Sequence, residues 1–127
     1  MGRLRVDDSG REIYFEHYRG EGVPVLLIHG WGMSGRVWDG LTRALVGAGH
    51  AVVTFDQRGC GNSDKDFTDF SIAASVADAE RLLAALGIDR VVVNGWSLGG
   101  AIAVETAARL GARCRGGGAH LRRFAAL

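Results

Sequence analysis

Ser97 stands between two glycines in Gly95-Trp96-Ser97-Leu98-Gly99, a G-x-S-x-G pattern. A serine hydroxyl is a weak nucleophile until a neighbouring base activates it and something stabilises the charge its attack creates. The pattern supplies part of that chemistry through geometry. A very sharp strand-to-helix turn holds the serine in a strained conformation with its hydroxyl exposed, and the flanking glycines leave room for adjacent backbone. The surroundings fit: Arg90-Val91-Val92-Val93 reads as a strand, and residues 101–110 read as a helix closed by Gly111. The small residues Gly99, Gly100, Ala101 and Ala103 let that helix lie close to a sheet. Its positive end favours a developing negative charge. An oxyanion hole at such a site takes one backbone N–H from the residue after the nucleophile and one from the loop after an earlier strand. Here those residues are Leu98 and Trp31.

The elements that must position these groups are legible in order. Residues 4–6 and 13–18 read as a hairpin around Asp7-Asp8-Ser9-Gly10. Residues 23–28 form a continuous apolar run, as a strand buried on both faces does. Trp38, Leu41, Leu45 and Val46 recur at helical spacing, and Gly47 and Gly49 stop that helix. Residues 51–55 read as the next strand. Ile72, Val76, Ala79, Leu82, Leu83 and Leu86 line one face of a further helix, capped by Gly87. The predicted fold class is α/β, a hairpin followed by β-α-β-α-β-α with a mostly parallel sheet. Ligands of such sheets sit beyond the carboxyl ends of the strands. Three glycine clusters directly follow three of the strands, around Gly30, Gly59 and Gly95, and should converge on one site.

Three segments, His29-Gly30-Trp31-Gly32, Asp56-Gln57-Arg58-Gly59-Cys60-Gly61-Asn62-Ser63 and Gly95-Trp96-Ser97-Leu98-Gly99-Gly100, resemble the signature segments of the α/β-hydrolase family in order and spacing. The similarity runs over residues 1 to about 110 and is to the esterase, C–C hydrolase and cofactor-free haloperoxidase branches. The resemblance implies that Ser97 is the nucleophile, that Trp31 and Leu98 are the oxyanion donors, and that residues 56–63 form a structural turn beside the site. It implies a small ester or related carbonyl substrate and no cofactor.

In that family the acid and then the histidine follow the nucleophile along the chain. After Ser97 this chain has no Asp, one Glu (Glu105) and one His (His120). Glu105 lies eight residues into the helix, about 12 Å along its axis, and reads as a solvated helix residue. His120 sits in a tail, Arg113-Cys114-Arg115-Gly116-Gly117-Gly118-Ala119-His120-Leu121-Arg122-Arg123, with no strand to aim it. The acid and base are therefore not identifiable. Residues 1–112 are expected to be the N-terminal half of a hydrolase domain, inactive or weakly active alone. Residues 113–127 are expected to be a basic Gly/Arg tail unlike the family. A charge jump marks that boundary: residues 1–110 carry 11 basic and 14 acidic residues, the last 17 carry four arginines and no acid. A frameshift, splice or early stop would produce such a tail, and the downstream nucleotides read in all three frames test that. Residues 91–93 would then be an exposed apolar edge open to self-association.

The remaining sequence narrows the field. A net charge of +1 gives no global pull toward nucleic acid or a membrane surface. No apolar run approaches membrane-spanning length, and the N-terminus lacks the apolar stretch of a signal peptide. Cys60 and Cys114 have no metal-ligand spacing, so no metal site and a cytoplasmic location are expected. Two rival readings exist. Gly30, Gly32 and Gly35 match G-x-G-x-x-G, and Asp56 follows 21 residues after Gly35, the fingerprint of a dinucleotide site. Against it stand the bulky Trp31 in the phosphate turn, the preceding hairpin, and the unexplained clusters after residues 55 and 94. The second rival is a non-catalytic interaction domain on a hydrolase scaffold. His17 and His50 read as strand and loop residues, His29 as a backbone-bonding turn residue, Trp38 as core, Trp31 and Trp96 as either packing or pocket, and Cys60 as unactivated.

Overall fold

In a computed structural model, which describes residues 1–7 and 9–113, the chain builds one sheet with helices on both faces. The tail beyond residue 113, with Cys114 and His120, lies outside the described residues. The strands are β1 (Gly2–Arg5), β2 (Glu12–Tyr18), β3 (Gly22–Ile28), β4 (His50–Phe55) and β5 (Val92–Gly95). The helices are α1 (Asp39–Gly47), entered through a 3-10 turn at Gly35–Trp38, α2 (Ile72–Ala85) and α3 (Leu98–Leu110), followed by a second 3-10 turn at Gly111–Arg113. The strands lie in the order β1-β2-β4-β3-β5. β4, β3 and β5 are parallel, and the hairpin adds β2 antiparallel to β4 and β1 antiparallel to β2.

The unbroken apolar run of β3 follows from its central place, because both of its faces are covered. Leu26 and Ile28 face the larger core with Val53, Phe55, Val76, Ala79, Leu82, Leu83 and Ile102. Val25 and Leu27 face Trp38 and Val52 beneath α1. Ser71 caps α2 by accepting from the Ala74 N–H at 3.1 Å, and Gly87, at φ +70°, follows its end.

Several details of these elements differ from expectation. β5 lies at Val92–Gly95 rather than 90–93, because its ladder with β3 pairs Gly95 with Ile28 and so runs into the turn glycine. α3 starts at Leu98, not Ala101, because Ser97 is already its N-terminal flanking residue. Gly47 is the last residue of α1, and the chain turns away at Gly49, at φ +94°. Ile72, expected on the buried face of α2, is 39% exposed, beside the exposed Val104 of α3. The edge formed by β5 also differs: Val91 and Val93 are buried and Val92 is half-buried, since they point to the two covered faces. Among the described residues, what β5 leaves open is backbone, not an apolar surface.

Candidate active site

The strand order makes the site. From β3 the chain departs to one side, to β4, while β5 pairs on the other side, so a crevice opens between the carboxyl ends of β3 and β5. The Trp96 N–H donates to Ile28 O at 3.1 Å across that crevice. A Cβ built on Gly30 would stand 3.4 Å from the Cβ of Ser97, so the loop after β3 touches the turn after β5. The third cluster joins through the Gln57 N–H, which donates to His29 Nε2 at 2.9 Å. The three glycine clusters meet, as their placement predicted.

Ser97 adopts φ 58°, ψ −118°, and is the one residue other than glycine with positive φ among the described residues. Such a conformation costs about 1–3 kcal/mol and persists only where the surroundings enforce it. Here the enforcement is steric. A Cβ on Gly95 would lie 2.0 Å from Gly99 O, and one on Gly99 would lie 2.2 Å from Ile28 O. Only glycines let strand, turn and helix approach this closely, and the turn leaves Ser97 exposed. The Gly99 and Gly100 N–H groups donate to Trp96 O and Ser97 O. The Leu98 N–H, first in α3, has no preceding helical turn to receive it and is part of the positive end of the helix.

The loop after β3 presents the other candidate donor. Gly30 O accepts from the Met33 N–H at 3.2 Å in a four-residue turn with Gly32 at φ +69°. The same oxygen lies 2.7 Å from His29 Nδ1. His29 is fully buried, and its Nε2 accepts from Gln57, so Nδ1 carries the proton and donates to Gly30 O. Carbonyl and N–H point oppositely across a trans peptide, so the Trp31 N–H is directed away from both donors. Burial pushes the His29 pKa below its ordinary value, against the opposing pull of the Gly30 hydrogen bond and the Asp56 charge. It is a neutral backbone-bonding residue, as its turn position implied, and not a base. Gln57, which also donates to His29 O at 2.7 Å, went unnoticed in the sequence because its partner is 28 residues away.

A cavity of about 30 Å³ lies between Gly30, Trp31, Gly32, Cys60, Phe70 and Leu98. It has room for a water but not for an acyl group. A larger hollow of about 560 Å³, between α2 and α3, is lined by Ile72, Val76, Ala101, Val104 and Glu105 and by no residue of the three glycine clusters. Trp31 is 79% exposed beside the small cavity. Trp96 instead packs edge-on against the buried Trp38, with ring centroids 6.4 Å apart.

The turn after β4 is saturated with hydrogen bonds. Asp56 is buried, and its two carboxylate oxygens accept from the Gly35 N–H at 2.7 Å and the Asn62 N–H at 2.8 Å. This overturns the dinucleotide reading of Gly30, Gly32, Gly35 and Asp56. The carboxylate that would bind a ribose is occupied by backbone, and Gly30 is packed against the Ser97 turn rather than open to a phosphate. Arg58 makes a bidentate pair with Asp78 at 2.7 and 2.9 Å and lies 4.7 Å from the centre of the Phe67 ring. Burial raises the pKa of the Cys60 thiol, in keeping with an unactivated cysteine. Glu105 is exposed on α3, as expected. His17 lies on β2, and His50 opens β4, with its Nδ1 2.9 Å from Val23 O. Among the described residues no group of three or more His, Cys, Asp or Glu is arranged to hold a metal. No helix there is long and apolar enough to cross a membrane.

Comparison with known proteins agrees with this architecture. Residues 23–117 match the family model of the alpha/beta hydrolase fold, and the chain belongs to that family. It is similar to a proline iminopeptidase of Xanthomonas citri, with 41% identity over 111 residues, 85% of this chain and 35% of the relative. It is similar to a putative non-heme chloroperoxidase of Synechocystis, with 34% identity over 69% of this chain and 32% of the relative. Among solved structures, a bromoperoxidase from Bacillus anthracis superposes with a TM-score of 0.79 at 35% identity, over 87% of this chain and 40% of that one. The chain thus spans about a third of the length of the curated relatives it matches.

Proposed function

We propose that the chain carries the nucleophile and oxyanion hole of a serine hydrolase acting on a small ester or related carbonyl substrate. The observation that carries this reading is Ser97, exposed and held at φ 58° between β5 and α3. Its Oγ would attack the carbonyl carbon, and the oxyanion formed would be received by the N–H groups of Trp31 and Leu98. Each such donor is typically worth about 3–4 kcal/mol in the transition state. Hydrolase relatives support the reaction class. The acid and the base of a complete triad have no counterpart among the described residues after Ser97, where Glu105 is the only carboxylate. The reading therefore places them beyond these residues and expects inactivity or slow turnover from the chain alone. A reducing, cytoplasmic setting suits the free Cys60 thiol. The open backbone of β5 favours self-association by strand pairing. A single monomeric peak in light scattering at high concentration counts against that.

The test is hydrolysis of a short-chain p-nitrophenyl ester by the chain and by Ser97→Ala. A rate above background that Ser97→Ala removes supports the reading, because an oxyanion hole and nucleophile retain weak catalysis without the full triad. Equal, near-background rates mean either a hydrolase fragment without its acid and base or the rival, a non-catalytic domain on a hydrolase scaffold.

A further inference from the structure

The three strand-end clusters are joined by few side chains, and one of them reaches two loops at once. Asp56, the first residue after β4, is 4% exposed, yet it packs between the loop that carries Trp31 and the turn at 59–63. Its Oδ1 accepts from the Gly35 N–H at 2.7 Å, and its Oδ2 accepts from the Asn62 N–H at 2.8 Å. Both distances lie at the short end of the ordinary range for an amide N–H bonded to oxygen. Its own carbonyl accepts from Ser63 Oγ, which in turn accepts from the Tyr14 N–H at 2.8 Å and so ties the turn to β2. The fit is close: at Gly61, φ +49°, a Cβ would fall 2.2 Å from Asp56 Oδ2. The carboxylate thus has one location and two assigned partners.

The loop from residue 30 to residue 38 is held at three places. At its start, His29 Nδ1 donates to Gly30 O. At its far end, the Arg36 guanidinium is paired with the buried Glu16. Between them stands the Gly35–Asp56 bond, which links the loop to the turn after β4 alongside a contact of the Gly32 backbone with the Cys60 thiol. From the geometry we infer that Asp56 is a positioning residue of the oxyanion hole: by gripping Gly35 and Asn62 together it sets where the Trp31 N–H stands relative to Ser97. This rests on the proposed roles of Ser97 and Trp31 and goes beyond them, since Asp56 touches no reacting atom. Loss of the grip leaves the donor present and misplaced, and a displacement on the order of 1 Å suffices to slow chemistry by about 100-fold.

Asp56→Asn is the variant to make. It keeps the shape and one acceptor, and sets an N–H₂ against an amide donor where Oδ2 or Oδ1 now accepts. Two readouts are taken on the whole chain. The first is residue-resolved amide hydrogen exchange. Asp56→Asn should speed exchange roughly tenfold or more within residues 31–36 and 59–63, with α2 and the sheet unchanged. The second is the rate at which an alkyl fluorophosphonate labels Ser97, read by mass spectrometry. It should fall roughly tenfold or more, short of the 10²–10³-fold typical of deleting an oxyanion donor. Labelling within twofold of the parent, or exchange speeded equally everywhere, overturns the proposal, because either result makes Asp56 only a general support of the fold. If the parent chain is not labelled at Ser97, as follows when no base activates the serine, the exchange arm alone decides. Acceleration confined to the two loops keeps the positional role of Asp56, and its absence removes it. Should Asp56→Asn fail to fold, Gly61→Ala crowds Oδ2 from the other side and is measured the same way.

Discussion

The turn after β4 and the turn after β5 meet at the same end of the sheet and treat their polar groups in opposite ways. In the first, nearly every group named has a partner: Asp56 holds two amides, Ser63 bridges Asp56 O and Tyr14, and Arg58 is forked onto Asp78. In the second, the serine is exposed and held at positive φ, and the first amide of α3 has no preceding helical turn to receive it. A saturated buried network is rigid, because each member loses its desolvation-compensating bond if it moves. An unsaturated, strained turn is costly and has a purpose only if a ligand completes it. The contrast divides support from site.

The contrast breaks at different costs. Ser97→Ala should have the largest effect, reducing ester turnover to the background rate while changing unfolding free energy by no more than about 1 kcal/mol, since an exposed hydroxyl is lost. Ester assays and urea unfolding on the same preparations check both halves. On the support side the effect should reverse. Arg58→Ala leaves the carboxylate of Asp78, 1% exposed, without its partner, and should destabilise by about 3–5 kcal/mol in urea unfolding. Burial already pushes the Asp78 pKa up against the pull of Arg58, so the orphaned acid would take a proton readily. A variant that loses stability at Ser97 and none at Arg58 would erase the distinction.

Gly99→Ala sharpens it. The new methyl would meet Ile28 O, which is backbone and has little freedom to give. A cost of about 1–3 kcal/mol is expected, together with loss of Ser97 labelling by a fluorophosphonate. The smallest effect is the pH response of the support beneath the loop after β3. Burial lowers the pKa of His29, and of His17 to the same sign, below the value near 6.5 of an unfolded histidine. Below that pH the unfolded chain binds more protons than the folded one, so stability present at pH 7.5 declines as the pH falls toward 5.5. Urea midpoints at the two pH values measure it. His29→Gln should flatten the slope, and an unchanged slope would remove His29 as its source.

Much of this was readable without coordinates, and the rest was not, for identifiable reasons. The strands, the helices and the serine turn are local: each is written in an apolar run, a helical spacing or a glycine within a few residues. The boundaries that slipped, such as β5 reaching Gly95, depend on pairing with β3 some 67 residues earlier in the register Ile28↔Gly95. Asp56 reads from the sequence as part of a structural turn and, only in the rival reading, as a ribose ligand; its partners Gly35 and Asn62 are not legible because they donate through backbone, which carries no side-chain signature. Glu16, which accepts from the hydroxyls of Tyr14 and Tyr18 and from Arg36, was not noticed at all. Burial pushes its pKa up, but these donors outweigh that and hold the carboxyl below its usual range.

What the amino-acid order by itself determined is the set of elements and their direction: alternating strands and helices, glycines at the strand ends, and a serine where only a sharp turn fits. Such features follow from sterics and hydrophobic periodicity acting over one or two turns of chain. Tertiary structure alone decided which polar groups were consumed and which were left over. That depends on the strand order β4-β3-β5, which sets loops from residues 30, 56 and 97 within hydrogen-bond reach of one another. Hydrogen bonds act only at about 3 Å, so until the sheet has assembled no residue type reveals whether its donor will be spent on the fold or kept for a substrate.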